Sequence, residues 1–101
     1  MEREWVTAWS QGNDLKLSDL AALADVFYIG GTKCGAMMGE AVVITNNELK
    51  DNFRSYMKQN GGMLAKGWTL GLQFYTLFEN DLYFEITGRA DKYAMEIREA
   101  F

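Results

Sequence analysis

An α/β fold is predicted for this 101-residue chain: a short antiparallel strand pair around a lysine-bearing loop, followed by three helices. Three observations support it. Val26-Phe27-Tyr28-Ile29 is β-branched and aromatic, and too short for a helix. Ala41-Val42-Val43-Ile44 is a second such run, near enough in sequence to pair with the first as a hairpin. From Thr45 onward the apolar residues recur at helical spacing instead.

Taken in order, Trp5 and Trp9 lie one helical turn apart, which suits a short amphipathic helix or two exposed rings. Gly12-Asn13-Asp14 reads as a turn. Ser18 is placed to cap a helix over 19–24, with Asp19 in the first turn, where the helix dipole favours an anion. The first strand is expected to be buried and to run into Gly30-Gly31, residues that tolerate positive φ or a close backbone approach. Thr45 and Glu48 match a capping box ahead of Leu49, Phe53, Tyr56 and Met57, and Gly61-Gly62 ends that helix. The stretch 63–78 is apolar nearly all round, the pattern of a helix covered on several sides. Three helices on two strands cannot cover it fully, so the isolated chain should expose apolar surface and self-associate, or need further parts of its domain. Asn80-Asp81 marks a break. A last helix then places Leu82, Ile86, Ala90, Tyr93, Ala94, Ile97 and Phe101 on one face.

Composition removes several function classes. The net charge is −4 with the two signs interspersed, which argues against a nucleic-acid surface, since that needs a basic face. No apolar run approaches the ~18 residues of a membrane span, and Met1-Glu2-Arg3-Glu4-Trp5 lacks the basic start of a signal peptide. A single cysteine and no histidine give neither an internal disulfide nor a zinc set. Cytoplasm is the expected compartment. Gly30-Gly31-Thr32-Lys33 is not a P-loop, and no serine has a histidine partner.

The candidate chemistry lies in Val26-Phe27-Tyr28-Ile29-Gly30-Gly31-Thr32-Lys33-Cys34-Gly35. A lysine at the end of a buried strand is expected to be dry, which frees its nitrogen to attack a carbonyl. Cys34 beside it is either a reactive thiol or a small packing residue. The stretch 25–44 resembles the lysine segment of the threonine aldolase and β-eliminating lyase family. Gly12-Asn13-Asp14-Leu15 with Asp19-Leu20, then Gly39-Glu40-Ala41-Val42-Val43-Ile44, then Lys58-Gln59, Gly61-Gly62 and Leu64-Ala65-Lys66-Gly67 extend the similarity over roughly residues 10 to 101.

The resemblance implies a fold-type-I large domain, here a single partial one: 1–44 ends the cofactor-binding part and 45–101 leads toward the C-terminal domain. It also implies pyridoxal 5'-phosphate as cofactor, held by Lys33 as a Schiff base. Two roles stay open for Thr32: a contact to the cofactor phosphate, or a plain turn hydroxyl. Family members are several times longer. Their stacking ring, glycine-rich phosphate cradle and pyridine-binding aspartate lie upstream, without counterparts here. Arg3 is a weak match to an arginine after that aspartate. Asn60 and Trp68 stand where basic residues are expected, and Lys66 remains. The expected function is a fragment of a lyase that cleaves a β-hydroxy-amino acid such as threonine to glycine and an aldehyde, or that eliminates a β-substituent. The isolated chain is expected to be inactive, and its partners to be an amino acid substrate and further copies of itself. The alternative is a non-catalytic scaffold acting through apolar self-association.

Overall fold

The computed structural model describes residues 15–101. The helix expected around Trp5 and Trp9, the turn at Gly12-Asn13-Asp14 and the placement of Arg3 fall outside that range. Helix α1 (Leu17–Leu23) leads into strands β1 (Val26–Gly30) and β2 (Glu40–Ile44). A 3-10 turn (Asn47–Leu49), α2 (Phe53–Gln59), α3 (Trp68–Phe78), a second 3-10 turn (Glu79–Asp81) and α4 (Leu82–Ala100) follow. A strand pair with three α-helices after it is the architecture expected from the sequence.

The two strands pair antiparallel in full register, from Val26 opposite Ile44 to Gly30 opposite Glu40. Successive side chains point to opposite faces. Phe27 is buried and Ile29 packs against the core, while Val26 and Val42 are 48% and 60% exposed. β1 is therefore covered on one face only, not buried as expected, because a two-stranded sheet has a single helical layer to pack on. Cys34, Ala36, Leu77 and Tyr83 form the core, bordered by Ile29, Phe78, Phe84 and Ile86. The rings stack as well: Phe78 lies parallel to Tyr83 at 5.0 Å, and Phe84 meets both edge-on at 5.7 Å.

Several boundaries depart from expectation, each for a local reason. Helix α1 is capped at Lys16, not Ser18, because the Asp19 carboxylate reaches back to accept the Lys16 N–H at 2.8 Å. The Thr45–Glu48 box does not form. The Thr45 hydroxyl turns back to the Ala24 carbonyl and its N–H donates to Asp25 O at 2.9 Å, extending the hairpin zipper, while Asn46 Oδ1 accepts the Glu48 N–H at 2.9 Å. The helix ending at Gly61-Gly62 consequently starts only at Phe53, after Asn52 at φ +56°. Its end is as expected: Gly61 takes φ +72° and the Gly62 N–H donates to Met57 O at 2.7 Å.

Helix α3 begins at Trp68, not at 63. Gly67 and Leu64 close a turn (N···O 3.1 Å), and the Thr69 hydroxyl donates to Lys66 O at 2.7 Å, setting the start of the helix. Only Leu77 of α3 is buried, and Trp68 is 68% exposed, so incomplete cover is observed. Asn80 and Asp81 both take left-handed backbone (φ +56° and +61°), the break read from the sequence. That break rotates α4 so that Tyr83 and Thr87 face the core, not the Ala90–Phe101 stripe. Beyond Asp91 every residue of α4 is exposed. A nineteen-residue helix is about 28 Å long and an eleven-residue one about 16 Å, so α4 outruns α3.

Candidate active site

The loop from Gly31 to Gly39 joins the two strands and carries Thr32 and Lys33. One carbonyl organises its first half. Gly31 O accepts the Cys34 N–H at 2.9 Å and the Ala36 N–H at 3.0 Å, which places Thr32 and Lys33 at the two central positions of a tight turn. Gly35 at φ +108° and Gly39 at φ +91° supply the reversals that side-chain-bearing residues resist. Cys34 (1% exposed) and Ala36 point inward and anchor the turn in the core. Of the two readings of Cys34, the structure supports the packing one.

Gly31 is fixed by contact as well as by conformation. A Cβ built there would stand 2.8 Å from Ala36 Cβ and 2.9 Å from Phe74 Cζ, inside any normal carbon–carbon separation. Two side chains hold the shoulders of the loop. The Tyr83 hydroxyl donates to Gly30 O at 3.0 Å, where the chain leaves β1. On the far side Gln73 Oε1 accepts the Met37 N–H at 2.6 Å and the Met38 N–H at 3.4 Å, and its Nε2 approaches Met38 O at 3.4 Å. Burial, and then the neighbouring Cys34, push the Tyr83 phenol well above its ordinary pKa of 10.0. That phenol stays protonated and remains a donor.

Sequence reading gave no sign of Gln73 or Tyr83. Both lie in apolar helical stretches, 35 to 53 residues from the backbone groups they hold, and pattern alone cannot supply such pairings. Gln73 is the one amide side chain in the stretch 68–78, where Thr69 and Thr76 are the other non-aromatic polar residues, so composition there did not single out its partner.

The expectation of a dry lysine is not met. Thr32 and Lys33 are both exposed, because the inward-facing positions of the turn go to Gly31, Cys34 and Ala36. Nor does the broad groove beside β2 include them. That groove, of about 670 Å³, runs beside the start of β2 between Val42, Phe53, Met57, Trp68 and Leu70, with Glu40 and Arg54 on its rim. Asn60 caps α2 through its own amide, which donates to Tyr56 O at 2.9 Å, and Trp68 lines the groove. Among the described residues no helix is long and apolar enough to cross a membrane, and no cluster of acidic and cysteine side chains is arranged to hold a metal ion.

A lysine displayed at the head of a β-hairpin, with both ends of its loop tied to a helical layer, defines a lysine-presenting α/β segment. No family model matches the chain. A low-specificity L-threonine aldolase of Pseudomonas aeruginosa is 29% identical over 75 residues, which cover 74% of this chain and 22% of that protein. A solved threonine aldolase of Leishmania major is 45% identical and superposes with a TM-score of 0.84 over 97% of this chain and 29% of its own. The chain is related to the threonine aldolase family and matches a segment of that fold. It spans less than a third of the length of either relative.

Proposed function

We propose that this chain is a segment of a pyridoxal-phosphate-dependent lyase of the threonine aldolase type, acting on a β-hydroxy-amino acid, with Lys33 as its cofactor-anchoring residue. The observation that carries this reading is the 45% identity to the Leishmania enzyme over nearly all of the chain. The loop offers an amine for the cofactor aldehyde and a hydroxyl for its phosphate, adjacent and exposed on one turn. Lys33 would hold the aldehyde carbon and Thr32 a phosphate oxygen. When bound, the pyridine ring supplies the electron sink for breaking a bond at the substrate Cα.

The chain's own part is that of a nucleophile. Lys33 Nζ would be the nucleophile that holds the cofactor through its aldehyde carbon. The same amine would also be placed to carry a proton at the substrate Cα. Exposure of Thr32 and Lys33 supports inactivity of the isolated chain, since water has access to the turn. In this reading, residues 1–44 end the cofactor-binding part and 45–101 lead onward. The working protein is a cytoplasmic homo-oligomer.

One observation favours a second reading, a scaffold acting through apolar self-association: Val42, Leu64, Trp68 and Tyr75 are each at least 60% exposed. The absorbance spectrum of the purified chain mixed with pyridoxal phosphate separates the two. A band at the blue edge of the visible that Lys33→Ala abolishes supports the lyase reading. No band at millimolar cofactor leaves the scaffold.

A further inference from the structure

Resting on the lyase reading, we propose that Gln73 is a positioning residue for Lys33, acting with Tyr83 to set the direction in which the loop presents its amine. Tyr83 fixes the carbonyl of Gly30, three residues before Lys33, and Gln73 fixes the amides of Met37 and Met38, four and five residues after it. The two anchors come from α4 and α3, so the loop is referenced to the helical layer at both ends. Between them the chain has few options: Gly31 O closes the turn with two N–H groups, and a Cβ at Gly31 would run into Ala36 and Phe74. Gln73 shares its helix face with Thr69, Leu70, Thr76 and Leu77, and it brings both ends of its amide to the Met37–Met38 backbone, its Nε2 also lying 3.4 Å from Thr69 O. A nucleophile held in orientation gains reactivity that a loose one forfeits.

The test uses the full chain and three variants. Gln73→Glu keeps the acceptor for Met37 and Met38, Gln73→Leu removes it at similar volume, and Tyr83→Phe removes only the hydroxyl. Two quantities are measured: hydrogen exchange of the Met37 amide, and the pyridoxal phosphate concentration that half-saturates the Lys33-dependent band. Gln73→Leu should lose Met37 protection and raise the half-saturating concentration by roughly tenfold. Gln73→Glu should stay within about threefold of the parent chain. Tyr83→Phe should raise the concentration as Gln73→Leu does, with the Met37 amide still protected. The proposal is overturned when Gln73→Leu matches the parent in either quantity, or when Gln73→Glu fails to rescue while melting normally. Absence of the band in the parent chain would instead end the lyase reading and the positioning role with it. Met37 exchange would then still show whether the Gln73 clamp exists.

Discussion

Replacing Gly31 by alanine should destabilise the chain, while the same change one residue earlier should not. At Gly31 the new methyl meets Ala36 Cβ at 2.8 Å, Phe74 Cζ at 2.9 Å and Phe74 Cε1 at 3.3 Å. Carbon atoms pack best at about 3.5–4.0 Å, so each of the two closest contacts is short by at least ~0.6 Å. The Phe74 ring can tilt. Ala36 Cβ cannot, because it is bonded directly to backbone, so the turn itself has to move. Overpacking of this kind costs about 1–3 kcal/mol. With a urea dependence of about 1 kcal/mol/M for a chain of this size, the unfolding midpoint should fall by about 1–3 M. At Gly30 a Cβ would find nothing within 4 Å, and removing a strand glycine reduces the entropy lost on folding by about 0.5–1 kcal/mol. Gly30→Ala should therefore match the parent or exceed it. Urea denaturation followed by far-ultraviolet circular dichroism measures both. A midpoint for Gly31→Ala at or above the parent, or an equal loss in Gly30→Ala, would refute the packing argument.

Other outcomes follow from the same geometry. Tyr83→Phe keeps the stack on Phe78 but loses the bond to Gly30 O, and should cost about 1 kcal/mol in the same assay. The Tyr83 phenol is harder to ionise in the folded chain, so its contribution is complete below pH 10.0 and is lost as pH rises toward the folded-state value. The parent should therefore lose stability above pH 10.0 by at most about 1.4 kcal/mol per unit from this residue, and Tyr83→Phe should show a shallower alkaline decline. Asp91 Oδ2 is buried without a hydrogen-bond partner among the described residues, and burial raises its carboxyl pKa. The ionised form is thus disfavoured by folding, and stability should fall as pH rises through its folded value from 3.8. Asp91→Asn should melt slightly higher than the parent at pH 7, by a few tenths of a kcal/mol, and lose that advantage at pH 3. Trp68→Lys, on the exposed groove, should shift sedimentation toward monomer where the parent associates.

The sequence made some of this legible and hid the rest, for physical reasons. Strands with β-branched runs, a glycine-terminated helix at Gly61 and a break at Asn80-Asp81 are local features with local signatures, and all three stand in the structure. Caps were less legible, because a side chain with two possible backbone partners does not announce its choice. Thr45 went to the sheet and Asp19 to Lys16. The burial of α4 was missed because two left-handed residues reset its rotation, which moved the inward face to Tyr83 and Thr87. Lys33 was found through the glycines around it and the wider similarity. Its exposure was not foreseen, because the inward side of the turn had three other claimants. Gln73 and Tyr83 act across the fold, beyond the reach of any periodicity.

In the lyase reading the turn displays Lys33, among the six lysines of the chain, as the amine that captures an aldehyde. Peptide mapping after borohydride reduction in the presence of limiting pyridoxal phosphate tests it directly, since reduction turns C=N into a stable secondary amine. The modified peptide should be the one that contains Lys33, with Lys16, Lys50, Lys58, Lys66 and Lys92 labelled far less. Label spread evenly over all six, or concentrated on another, would contradict it.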